Sequence, residues 1–231
     1  AEAHAPWHGE RVHQWSLRLI EKLRTPPTAE LGLPATDGSL DPEWLLPLLK
    51  SGRPRLPSKA DGRLRPIEHQ PVMKEFIGDL FVLTVVAPAD LNAVEPRYVQ
   101  MGQLAATSAL AGTPDVLHAR ALANLRRLAR EGIRSEAEGE LMRLRLDGRF
   151  DASLMLLNDV WDAQLAAQTP GGALAAVPQP GMLLYCDVAA PRGLPELRAR
   201  VEQATATSAD TLSRKVFYRS RGAWEALPDP R

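Results

Sequence analysis

Glu140–Gln164 reads ELMRLRLDGRFDASLMLLNDVWDAQ, and Ala173–Val188 reads ALAAVPQPGMLLYCDV. The reading of these two stretches decides the fold. In the first, two alternating runs flank Asp147-Gly148. Met142, Leu144 and Leu146 share one face and Arg143 and Arg145 the other. Beyond the turn, Phe150, Ala152 and Leu154 repeat the period of two. Asp-Gly suits a two-residue turn because both central residues take positive φ, which Asp tolerates and Gly adopts freely. A hairpin about Asp147-Gly148 is therefore predicted, followed by a short helix carrying Val160 and Trp161. A second hairpin is predicted from Ala173–Val177 and Met182–Val188, around Pro178-Gln179-Pro180-Gly181. Two hairpins this close in sequence argue against alternating βαβ units. They predict an α+β fold: a mainly antiparallel sheet of about five to seven strands, helices packed on one side, and an N-terminal helical extension.

Working outward, Thr113–Gly132 reads as a helix. Thr113 caps it, Pro114 fits its first position and Asp115 complements its N-terminal dipole, while Leu117, Ala121, Leu125 and Leu128 form one stripe. Leu194–Ala204 is a further amphipathic helix. Lys215–Arg219 and Ala223–Leu227 read as a terminal hairpin around Ser220-Arg221-Gly222. Upstream, Asp79–Ala87 is a near-continuous apolar run, the mark of a central strand covered on both faces, and Arg97–Met101 is a shorter strand. Asp41 and Pro42 open a short or kinked helix over Trp44, Leu45 and Leu46, limited by Pro47. Glu10–Arg24 is an amphipathic helix, and Ser51–Pro66 is a basic Pro- and Gly-rich loop. The domain reading is an N-terminal helical extension and basic loop over 1–66, then a compact α+β domain over 67–231.

The 231 residues carry 28 Lys and Arg against 28 Asp and Glu, a formal net charge of zero. That balance argues against a general binder of nucleic acid or anionic membrane. The single Cys186 excludes an internal disulfide and a Cys-rich metal site. No apolar run reaches the length that spans a bilayer. A cytoplasmic location is expected. The Ala1 start reads as a processed or trimmed end, and export stays open beside it.

The phosphate-binding glycine loops, the zinc helix motif, the calcium loop and the Gly-x-Ser-x-Gly elbow are all absent from the sequence. No cofactor is expected. His4, His8 and His13 are spaced for metal on a helix, but Pro6 and Gly9 interrupt it, and no metal site is expected there. Cys186 with Asp187 and a remote His118 is weighed as a nucleophile, but a thiol inside an apolar strand is a small hydrophobe. Asp147, Asp151, Asp159 and Asp162 suit acid–base work, or else turn and helix-end roles. Trp161, Phe150, Met155 and Tyr185 suit a pocket wall or a core. From these sets Asp151, Asp159, Trp161 and Tyr185 are taken as the candidate ligand- or partner-binding residues. No catalytic residue is assigned.

Four segments resemble the YtpQ-like family of uncharacterised bacterial proteins, a domain of unknown function. They are DLFVLTVVA with RYVQMGQLA, HARALANL (His118–Leu125), GRFDASLMLLNDVW (Gly148–Trp161) and AVPQPGMLLYCDV (Ala176–Val188). The resemblance covers roughly residues 70–227. It departs at Gly181, where the family pattern has an Asp. It implies a soluble, cytoplasmic, single α+β domain and brings no activity or catalytic residue with it.

The leading functional expectation is a non-enzymatic binding or protein-interaction module of the bacterial cytoplasm. It implies a protein partner and an exposed apolar patch near Trp44 or Trp224. One alternative is a hydrolase-type enzyme built on the carboxylates around Asp151–Asp162. The other is nucleic-acid contact through the Arg53–Arg65 loop, disfavoured because no aromatic residue is interleaved to stack on bases.

Overall fold

The computed structural model describes residues 42–52, 71–86, 97–99 and 113–228. The predicted helix over Glu10–Arg24, the three N-terminal histidines and the Arg53–Arg65 loop lie outside them. The described chain is α+β. A four-stranded sheet holds β1 (Leu45–Ser51), β3 (Leu80–Val86) and β2 (Met73–Ile77) in that order, with β4 (Arg97–Tyr98) also pairing β3. A six-stranded sheet holds β10 (Ala223–Ala226), β9 (Val216–Ser220), β7 (Ala173–Gln179), β8 (Met182–Asp187), β6 (Leu141–Arg145) and β5 (Arg134–Glu138) in that order. The helices are α1 (Pro114–Gly132) and α2 (Gly193–Thr207). The chain divides into two compact units, and β1 and β3 each contribute residues to both.

Among the described residues, the first unit comprises 42–46, 71–72, 84–86, 97–99 and 113–132. Its core is Leu45, Val72, Val86, Val99, Leu117 and Ala121, with Trp44 packed against it. Leu117, Ala121 and Leu125 of the predicted α1 stripe are buried and Leu128 is half-buried, and the Thr113 hydroxyl accepts the Val116 N–H at 3.4 Å. Asn124 lies buried among the apolar positions of α1. Its amide donates to the carbonyls of Pro42 at 2.8 Å and Leu45 at 2.9 Å, so its polarity is spent on fixing the entry to β1. The helix predicted over Trp44–Leu46 is corrected. Pro42–Trp44 form one 3₁₀ turn, and Leu45–Ser51 is a strand. Leu45, Leu46, Leu48 and Leu49 are all buried, and a run covered on both faces suits a strand better than an amphipathic helix.

The second unit comprises 47–52, 73–83 and 133–228. Leu141, Leu174, Ala176, Leu184, Cys186 and Val216 form one face of its six-stranded sheet. Leu197 and Val201 of α2 pack on that face. The hairpins β7–β8 and β9–β10 are as predicted. Gln179 pairs with Met182, which puts Pro180-Gly181 at the turn, and Ser220 pairs with Ala223. Arg221 and Gly222 both take positive φ, as this two-residue turn demands. Pro178, which has no N–H to give, falls within an irregularity of the β7–β8 ladder, and its carbonyl accepts the Leu212 N–H.

The hairpin predicted about Asp147-Gly148 does not form. β6 pairs with β5 and β8 instead, and Ala152–Leu156 is a 3₁₀ helix. The cause is Asp151, which is fully buried. Its Oδ1 accepts the N–H groups of Leu146, Asp147 and Gly148 at 2.9, 3.1 and 2.9 Å. Asp147 Oδ1 accepts Arg149 and Phe150 in the same way. Five successive backbone donors, from the end of β6 through the first two residues of the expected return strand, are taken by two carboxylates. The turn also rests on backbone: a Cβ on Gly181 would lie 2.0 Å from the Gly148 carbonyl oxygen.

Asp151→Ala strips three part-buried N–H groups of a charged acceptor and is expected to cost about 3 kcal/mol in urea unfolding. Asp151→Asn keeps one acceptor oxygen and is expected to cost roughly half as much. Equal losses for the two variants would show that the carboxylate is not the organising acceptor.

Candidate functional site

The four residues singled out from the sequence separate into three places. Asp151 is inside the turn just described, where its Oδ2 is buried and takes no hydrogen bond. Asp159 is exposed and makes no capping bond to the π-helical turn Val160–Gln164 that follows it. Trp161 and Tyr185 do come together, as an edge-to-face pair with ring centroids 5.5 Å apart.

That pair belongs to an aromatic cluster with internal partners for its polar atoms. Trp161 is 3% exposed, and its indole N–H donates to the Leu154 carbonyl at 3.1 Å. Trp224 meets Trp161 edge-on at 4.8 Å and donates to the Met155 carbonyl at 3.1 Å. The Tyr185 hydroxyl bonds Ser135 and Gln168. Burial pushes the Tyr185 phenol above its ordinary value, against the opposing hydrogen bond from Ser135. Arg219 lies over the Trp224 ring at 5.8 Å and binds Asp162 and Asn158. These aromatic rings therefore act as the core between the sheet and the 152–165 segment.

Trp44 is half-buried against the core of the first unit, and Trp224 is half-buried against Trp161, so neither marks an exposed apolar patch among the described residues. Among the described residues the exposed large hydrophobics are Val116 and Val188.

Cys186 is 2% exposed, and burial first, then Asp187, Glu140 and Glu196, push its thiol up to about 11. Gly193 packs directly on it: a Cβ there would lie 2.8 Å from Sγ. His118, the remote base considered for it, sits half-buried on α1. Among the described residues no group of three or more His, Cys, Asp or Glu is placed to hold a metal ion. None of the described helices is long and apolar enough to cross a membrane.

A different set of residues lines a cleft of about 300 Å³ at the C-terminal half of α2. Glu138 of β5, Arg143 of β6 and Arg200 of α2 meet there. Glu138 Oε2 lies 2.7 Å from Arg200 Nη2, and its Oε1 lies 3.9 Å from Arg143 Nη1. Arg143 Nη2 donates to the Gly181 carbonyl at 3.2 Å, while its Nε is buried and takes no hydrogen bond. Met182, Leu184 and Ala204 supply apolar wall. In the sequence these charges are only the wet-face residues of separate elements, and nothing in their spacing joins them.

No protein-family model, curated protein or solved structure matches the chain.

Trp161→Ala removes the centre of the aromatic core and is expected to cost about 3–5 kcal/mol in chemical unfolding. Cys186 is expected to resist thiol reagents at pH 8 until the chain is unfolded, since so little thiolate is present. A raised folded-state value makes the neutral thiol the native form. Its contribution is complete below the unfolded value of about 8.5 and lost as pH rises toward 11. Stability should therefore fall more steeply across that window in the native sequence than in Cys186→Ala. Equal slopes would remove the assignment.

Proposed function

We propose that the chain is a non-enzymatic binding module of the bacterial cytoplasm; the YtpQ-like resemblance implies the cytoplasmic location and brings no activity with it. The observation that supports it is the use already made of its reactive groups. Asp151 is occupied by three backbone donors, Asp162 by Arg219, and Cys186 is a buried thiol pushed up to about 11. A general acid or nucleophile needs an accessible group with its value tuned toward the working pH. The hydrolase reading draws on Asp151–Asp162, and a carboxylate committed to structure there is a poor proton carrier. The two tryptophans expected to mark an apolar protein-docking patch are each half-buried against neighbouring side chains, which favours a small ligand over a protein partner.

Chromogenic ester, phosphoester and glycoside substrates are expected to show no turnover above buffer. Turnover lost on Asp159→Asn or Asp162→Asn, in variants that still melt cooperatively, would replace the binding reading with the hydrolase one.

A further inference from the structure

We propose that the cleft between Arg143 and Arg200 binds a small organic monocarboxylate, with the internal Glu138 carboxylate as its competitor. The inference rests on the binding reading above and narrows it to one site and one ligand class. Three features carry it. The first is charge: two guanidinium groups face one carboxylate, so the cleft holds one positive charge more than it neutralises. The second is unused donor capacity. A guanidinium offers five N–H groups in a fixed fork suited to carboxylate geometry. Arg143 Nη2 spends a bond on Gly181, and its Nη1 stands 3.9 Å from Glu138, beyond hydrogen-bond range. The third is the wall. Met182, Leu184 and Ala204 give an apolar surface beside the charges, which suits a carboxylate attached to a hydrocarbon body better than inorganic phosphate.

The C-terminal end of α2 works against an anion, because its last carbonyls point the negative end of the dipole there. Two of them are engaged: the Ala204 carbonyl accepts Gln179 and Thr207, and the Gln203 carbonyl accepts Thr207. Two nearby guanidinium groups outweigh what is left. Glu138 stands where a bound carboxylate would stand with respect to both arginines, and an entering ligand takes its place or shares its donors.

The test is calorimetric titration of the full chain with butyrate and benzoate in low-chloride buffer. Butanol and inorganic phosphate serve as controls, and ligand spectra are followed by NMR for hours. Binding of butyrate or benzoate with a dissociation constant below about 1 mM is expected, with none for butanol. Arg143→Met and Arg200→Met should each weaken it by at least about tenfold. Glu138→Gln should tighten it at least about threefold, an effect that a purely structural ion pair would not give. Arg143 also holds the Gly181 turn, so thermal melts accompany each variant. Arg200→Met, at a side chain 47% exposed, carries the test if Arg143→Met does not fold. No carboxylate binding, binding indifferent to Arg200→Met and Glu138→Gln, or phosphate preferred over both acids would overturn the proposal and leave the non-enzymatic reading standing. Chemical conversion of a ligand bound with the expected variant pattern would overturn that reading and leave the site.

Discussion

A single carboxylate oxygen, Asp151 Oδ1, decides where the chain goes after β6. It collects three successive N–H groups and so ends strand geometry at Leu146. With the Leu146 donor held there, and Asp147 Oδ1 holding Arg149 and Phe150, the closing pair of a two-residue hairpin does not form. The Phe150 and Asp151 carbonyls instead accept Ser153 and Leu154 in a 3₁₀ helix, and the Ala152 N–H goes to the Pro180 carbonyl. β6 is left free to pair with β8, and the intervening segment brings Trp161 onto Tyr185. Burying a carboxylate costs several kcal/mol unless it is well bonded. The three N–H bonds offset that cost, while Oδ2 stays unpaired.

The same turn positions the cleft. Gly148 presses its carbonyl against Gly181 so closely that no side chain fits there. The Gly181 carbonyl in turn accepts Arg143 Nη2. The orientation of the guanidinium thus depends on a backbone contact fixed several residues away by Asp151. A residue that looks like a candidate acid in the sequence acts through geometry.

Legibility in the sequence follows how local each cause is. The α1 helix, β3, β7–β8 and β9–β10 were readable because cap, stripe, apolar run and turn dipeptide lie within the element. The Asp147-Gly148 hairpin failed because the competing acceptor, Asp151, sits just past the turn, and the period-two pattern carries no trace of it. Met73–Ile77 carries no strand signal in the sequence because its exposed Lys74 and Glu75 give no buried face, and its pairing with β3 supplies what periodicity does not. Trp161 and Tyr185 were correctly joined, but as core. The Arg143–Glu138–Arg200 group was invisible because its members come from three elements, and only the sheet order β8-β6-β5 with α2 packed upon it assembles them.

Two arginine–carboxylate groups in the second unit show what separates structural charge from available charge. Arg219 is 8% exposed and meets Asp162, Asn158 and the Trp224 face, so its positive charge is enclosed by acceptors and an aromatic ring. Its carboxylate partner reaches outward to water. Glu138 is the reverse case: it is the more enclosed member beside Arg200, and it faces two guanidinium groups at once. One carboxylate cannot saturate two forks. Each arrangement leaves a buried Nε without a partner, but the second sets its guanidinium groups along an open cleft with an apolar wall. Charge left over at that cleft, more than any reactive side chain, is the feature of the described fold on which the proposed carboxylate site rests.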